Sequence, residues 1–230
     1  MEEGLGLRRF LFVPMLTPDD GSTDGMLIDY HAGENPRRRD LWDFLRGCLS
    51  RGERDIRALR RYMKKKPFEY IPWRDDACFT NAGREVHFSK IPTSALRQAL
   101  VFFDPDNGFE VPSMTARNRE KYLHYAELAE VFSRMDDTSV AVIYQHLPRK
   151  NRDIFFSEIA GKLRGHLATH DVSVVSDNTI AFFVVSKSPA SAKVARIVLM
   201  SYSAEHDLRF WETDRSGSGF VEIMGRLFGK

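Results

Sequence analysis

The sequence predicts a three-layer α/β fold built on a mostly parallel sheet with an antiparallel terminal hairpin. Two apolar runs, Leu100-Val101-Phe102-Phe103 and Val140-Ala141-Val142-Ile143-Tyr144, read as strands buried on both faces. Amphipathic helical stretches at 119–135 and 151–167 alternate with them. Such alternation builds a parallel sheet flanked by helices. Finally, residues 172–176 and 179–185 are apolar runs separated by Asp177-Asn178, a turn composition that makes a hairpin.

From the N-terminus, Arg9-Phe10-Leu11-Phe12-Val13 is a buried strand stopped by Pro14. A loop dense in turn formers follows at 17–25. Asp40 is placed to cap a helix running to about Ser50, with Leu41, Phe44, Leu45, Cys48 and Leu49 on one face. A second helix covers 54–63, with Ile56, Leu59 and Met63 inward, and Pro67 and Pro72 close that region. Residues 76–91 suggest one or two short strands around Asn81-Ala82-Gly83. Thr93 caps a helical turn through Ala99. In 151–167, Ile154, Phe155, Ile159 and Leu163 form the inward stripe. A last long helix spans about 190–202. Arg215-Ser216-Gly217-Ser218-Gly219 forms a joint before a short element at 220–227. The whole reads as one domain, 1–230, with a basic helical insertion at about 37–66 and a C-terminal tail from about 204.

The chain has 230 residues, 43% hydrophobic and 29% charged, which suits a globular domain. No apolar run approaches the roughly 20 residues of a membrane helix, and Met1-Glu2-Glu3-Gly4 does not open a signal peptide. Cys48 and Cys78 read as buried free thiols, so the expected compartment is the cytoplasm. Net charge is only +2, but 37–66 concentrates arginine and lysine. That excess suits an RNA or DNA backbone and equally suits a solvated helix face.

Ligands of α/β sheets bind at the carboxyl ends of the strands. That rule selects 14–25, 104–111 and 145–148. The sharpest of these is Asp104-Pro105-Asp106-Asn107-Gly108. Pro105 fixes its own φ and extends Asp104, while Asn107 and Gly108 tolerate left-handed turns. The loop would hold polar groups at the mouth of the sheet, or serve as a well-formed turn. His146 beside Gln145 is a candidate general base or donor, with a structural role as the alternative. Lys121, Tyr122 and Tyr125 open the following helix and would meet phosphate and a base, or simply pack on the sheet.

Three segments resemble an uncharacterised bacterial family: Val101 to Glu110 around the Asp-Pro-Asp-Asn-Gly motif, Met15 to Gly25, and Tyr144-Gln145-His146-Leu147-Pro148-Arg149, with Lys121-Tyr122 between. More distantly, the chain is similar to class I S-adenosylmethionine-dependent methyltransferases, with a Rossmann-like, methyltransferase-like fold. The nearest in kind are ribosomal-RNA adenine-N6 enzymes with an Asp-Pro-Pro-Tyr box, and three-Cys-motif partner proteins. The hairpin matches their reversed last strand, and Asp104-Pro105 match the first half of the box. Asp106 replaces its second proline and Asn107 its aromatic residue, so that place lacks a stacking ring. The resemblance at Asp104-Pro105, together with the position of the loop and of His146 at strand ends, makes Asp104, Asp106, Asn107 and His146 the catalytic candidates. Asp19, Gly21, Asp24 and Gly25 become cofactor candidates, in a turn acidic enough to disfavour a phosphate-bearing dinucleotide. Lys121, Tyr122, Gln145 and Arg149 would contact substrate.

Three functions stay open at this point. The first is methyl transfer from S-adenosylmethionine to nucleic acid. The second is a nuclease or phosphodiesterase holding Mg²⁺ or Mn²⁺ on Asp19, Asp24, Asp104 and Asp106. The third is a non-catalytic nucleic-acid-binding module with a degenerate cofactor site.

Overall fold

The computed structural model describes residues 5–18, 39–169, 171–213 and 220–223. The expected acidic loop 19–25, the 215–219 joint and residues 224–227 fall outside them.

The described strands are β1 (Arg9–Pro14), β2 (Glu69–Pro72), β3 (Ala99–Asp104), β4 (Gly108–Phe109), β5 (Tyr122–Leu123), β6 (Val140–His146), β7 (Val172–Ser176), β8 (Ile180–Ser186), β9 (Arg209–Thr213) and β10 (Phe220–Ile223). The helices are α1 (Arg39–Ser50), α2 (Leu59–Met63), α3 (Arg84–Ser89), α4 (Tyr125–Arg134), α5 (Arg152–Leu167) and α6 (Pro189–His206). Eight strands form one sheet in the order β10-β9-β7-β8-β6-β3-β1-β2, and β4 and β5 form a separate two-stranded piece. β2, β1, β3 and β6 are parallel. β8 runs antiparallel to β6 and β7, and β9 antiparallel to β7 and β10. The fold is thus α/β with a mixed sheet in which β8 and β9 oppose the other strands.

Residue parity divides the sheet into two faces. Leu11, Val13, Val101, Phe103, Ile143, Phe183 and Trp211 are buried on one of them, against Phe88 of α3, Leu128 and Val131 of α4, and Phe156 and Leu163 of α5. Fully burying each such side chain contributes about 1.5–3 kcal/mol. The other face is aromatic at its centre: Phe102 meets Phe12 at 5.7 Å and Phe182 at 6.0 Å, and Phe182 meets Tyr144 at 6.0 Å. α6 covers part of that face, where Ala195 and Leu199 pack on Val140, Val142 and Val184.

Several expectations need correction. Asp40 lies within the first turn of α1, where its carboxylate accepts from Tyr62 Oη and Lys66 Nζ, both at 2.7 Å. The second helix buries Ala58 and Tyr62, not Met63, because a tight turn at Ile56–Ala58 precedes α2 and rotates the face. Residues 84–89 are helix, not strand: Thr80 accepts from Gly83 N–H and starts a helical turn. β2 runs straight into Pro72, a proline tolerated on an edge strand. The expected helix from 119 begins only at Tyr125, so Lys121 sits in a turn and Tyr122 in β5. Ile154 faces solvent, at 60% exposure, because the stripe of α5 turns through Phe155 and Phe156. Cys48 is buried but Cys78 is exposed. Residues after 204 complete α6 and add β9 and β10 to the sheet. No described helix is long and apolar enough to cross a membrane.

Candidate functional site

β1 is the point where the strand order switches. The chain leaves it for β2 on one side and returns as β3 on the other. The crevice outside the carboxyl ends of two such strands is where open α/β sheets bind ligands. Here it lies between Pro14 and Asp104, which are register partners.

The Asp104–Gly108 loop is anchored at every step. Met15 N–H donates to Asp104 O at 3.1 Å, tying it to the end of β1. Asp106 Oδ2 accepts from Thr17 Oγ1 at 2.8 Å and lies 3.5 Å from Lys121 Nζ. Asn107 N–H donates to Lys121 O at 2.9 Å, and Asn107 O accepts from His146 N–H at 3.2 Å. Gln145, buried at the end of β6, clamps the loop: its Oε1 accepts from Phe109 N–H at 2.9 Å, and its Nε2 donates to Asn107 O at 3.0 Å and His146 O at 2.7 Å. Gly108 stands at φ +110°, and a Cβ there would fall 2.3 Å from Gln145 Oε1. Only glycine fits so close an approach.

Asp104 differs from its neighbours. Its carboxyl receives no hydrogen bond from any described residue. Burial, reinforced by the charge of Asp106, pushes its pKa up to about 6. Phe103 points into the core, so Asp104 projects from the opposite face, the face of Tyr144. Burial and the charges of Asp104, Asp106 and Asp177 raise the Tyr144 hydroxyl above its ordinary value. Thr17 and Tyr144 join this crevice, although neither was among the site residues expected from the sequence. Parity on the 140–146 strand was the available sign for Tyr144.

On the core side of the same loop opens a cavity of about 490 Å³. Asn107, Tyr122 and His146 line it, with Phe109, Tyr125 and Phe155. Tyr125 stacks on Phe109 with ring centres 4.9 Å apart and planes 2° apart, and Lys162 Nζ lies 5.5 Å from its ring centre. Burial, then Glu110 and Glu158, raise the Tyr125 hydroxyl, which therefore stays protonated at neutral pH. Phe155, Glu158 and Lys162 enter from α5, too far along the chain for any local motif to announce them.

Tyr122 is held by a buried fork. Arg84 Nε and Nη2 reach Glu127 Oε1 and Oε2, each at 2.6 Å, while Nη2 also donates to Tyr122 O at 2.7 Å. The Glu127 side chain also caps α4 through His124 N–H at 3.0 Å.

The sequence-predicted residues therefore divide. Asp104, Asp106 and Lys121 meet at the crevice, while Asn107, Tyr122 and His146 border the cavity. Gln145 spends its amide on the loop backbone, and Arg149 is exposed beyond β6. Asp19, Gly21, Asp24 and Gly25 lie outside the described residues. The described residues contain no group of three or more His, Cys, Asp or Glu fit to hold a metal ion. In the basic segment, many cations are already paired: Arg51 and Arg61 with Glu53, Arg57 with Asp55, Arg60 with Asp75, and Lys66 with Asp40. Arg61, followed by Arg51, holds the Glu53 carboxyl down at about 2. Compared with family models, with curated proteins and with solved structures, the chain finds no match in any of the three.

Proposed function

We propose that the chain is a methyltransferase-like enzyme that uses S-adenosylmethionine to methylate an amino group of nucleic acid. The observation that carries this reading is Asp104: a carboxyl without a described donor, raised to about 6, at the switch point of the sheet. A half-buried acceptor with no partner among the described residues fits a cofactor that is cationic at its sulfur and a substrate that offers an N–H. The reversed strand β8, set between β6 and β7, agrees with the resemblance in the sequence.

When bound, the cofactor would supply an electrophilic methyl group. Asp104 would accept a hydrogen bond from the target amine and take its proton as the new N–C bond forms, while the sulfur of the leaving group would keep the electron pair of the broken S–C bond. A carboxyl with a pKa of about 6 is better matched to that task at neutral pH than one at 3.8. Asn107, its backbone fixed on both sides, forms part of the wall between this crevice and the cavity behind the loop. Thr17, bonded to Asp106, anchors the start of the segment that carries the cofactor candidates Asp19, Gly21, Asp24 and Gly25.

Calorimetry with S-adenosylmethionine should give micromolar binding, and labelled methyl transfer to single-stranded RNA or DNA should disappear in Asp104→Ala. Absence of binding heat at high protein concentration, or full transfer by that variant, would remove the proposal.

A further inference from the structure

We infer that the 490 Å³ cavity beside Asn107 binds a second, non-reacting nucleotide of the substrate strand, its base against Tyr122 and its phosphate near Lys150 and Lys162. The inference rests on the nucleic-acid reading above and adds a base other than the one that reacts.

Asp104 and Tyr144 leave their strands on the face opposite Phe103 and Gln145. The cavity is bounded by Gln145, Phe109 and Ile159, and neither Asp104 nor Asp106 lines it. The reacting crevice and the cavity are thus separate compartments that share the Asp104–Gly108 loop as a wall. The volume falls within the roughly 300–1,000 Å³ of small-ligand sites.

The chemistry of the lining suits a nucleotide. Phe109 and Tyr125 are stacked on each other and buried, so they form a rigid aromatic floor. Tyr122 is half-buried and leaves ring surface free for a planar ligand. Base–aromatic stacking tolerates any base, because every base has a π-face. The Asn107 side-chain amide makes no hydrogen bond to a described residue and can read a base edge. Lys150 and Lys162 are exposed and form no ion pair with a described carboxylate, so both can meet phosphate. Glu110 and Glu158 also line the cavity, Glu110 accepting from Tyr125 N–H at 2.9 Å, so the anion seats at the exposed Lys150 and Lys162 while the planar ring and its polar edge meet Tyr122 and Asn107.

The test is calorimetry of the full chain with adenosine 5′-monophosphate, adenosine and inorganic phosphate, without S-adenosylmethionine. The monophosphate should bind more tightly than adenosine, and Lys150→Gln with Lys162→Gln should remove that difference. Tyr122→Ala should weaken binding about tenfold or more, whereas Tyr122→Phe keeps it. Asp104→Asn, in the other compartment, should shift affinity less than twofold. Near-ultraviolet dichroism confirms that each variant is folded. Three results overturn the inference: no nucleotide binding at millimolar concentration, binding of phosphate but not adenosine, or Asp104→Asn weakening the monophosphate as much as Tyr122→Ala. A parallel titration separates the two readings. S-adenosylmethionine binding without nucleotide binding sinks this inference alone. Nucleotide binding without S-adenosylmethionine binding sinks the methyltransferase reading and leaves the pocket standing.

Discussion

Replacing Asp104 by Asn tests the physical basis of the site without reference to any ligand. The carboxyl has an ordinary value of 3.8 and is pushed up to about 6 in the fold, burial being the larger cause and Asp106 the second. Its ionised form is therefore disfavoured in the native state, and the linkage runs one way. Well below 3.8 the group is protonated whether folded or unfolded, and it contributes almost no penalty. As pH rises through 6 the unfolded chain has already lost the proton while the folded chain resists losing it. The gap corresponds to a destabilisation of about 3 kcal/mol above pH 7, falling to about 0.5 kcal/mol near pH 4. Asn has nearly the same shape and no charge, so Asp104→Asn should stabilise the protein at pH 8 and be close to neutral at pH 4. Urea unfolding of both proteins across that range measures the difference directly. A stability difference independent of pH, or a variant that grows less stable as pH rises, would refute the account of Asp104 as a carboxyl strained by burial.

Other consequences are as direct. Asp106→Asn should bring the Asp104 pKa down by less than half of its rise, since burial is the larger cause; carboxyl-carbon NMR titration reads it. Gly108→Ala should cost about 2 kcal/mol or more, because it combines a positive φ with a collision against the clamped Gln145 amide, and thermal unfolding will show it. Arg84→Ala should cost about 3–5 kcal/mol by leaving Glu127 half-buried and uncompensated, and should loosen Tyr122 as well, visible in chemical denaturation. With a thiol reagent, Cys78 should react quickly and Cys48 only as the protein unfolds.

The parts of the fold legible in the sequence were those where local pattern and tertiary role agree. The apolar runs at 100–103 and 140–144 have no polar residue to contradict them, and both lie in the middle of the sheet. The hairpin was legible because Asp177 accepts from Thr179 and Ile180 N–H, closing the turn by itself. What escaped was set at a distance. β5 is two residues long and exists only because β4 lies beside it, so no periodicity marks it within a helix-like stretch. Trp211 is buried in β9 because Phe156 of α5 and Asp153 receive it, and nothing near it in sequence says so. The basic segment misled for a related reason: a count of charges does not reveal their partners, and Asp75 is well outside the stretch that looked basic.

The same contrast separates the structural polar groups from the functional candidate. Gln145 and Arg84 are buried, Glu127 is half-buried, and each is engaged in holding a piece of backbone that would otherwise be loose. Asp106 has a hydroxyl and an ammonium group beside it. Among the described residues Asp104 has neither, and burial holds its carboxyl above the ordinary range. A loop tied down on both sides by hydrogen bonds that leaves one desolvated carboxyl without a described donor does not owe that carboxyl to packing. Local rules that yield at one position tend to yield where a ligand is meant to complete them. The strain at Asp104 is relieved if an N–H or a cationic centre arrives at the crevice, and binding of such a ligand should then lower the Asp104 pKa and release a proton between pH 5 and 7. Calorimetry in two buffers of different ionisation enthalpy measures that proton; binding without release would place the ligand elsewhere.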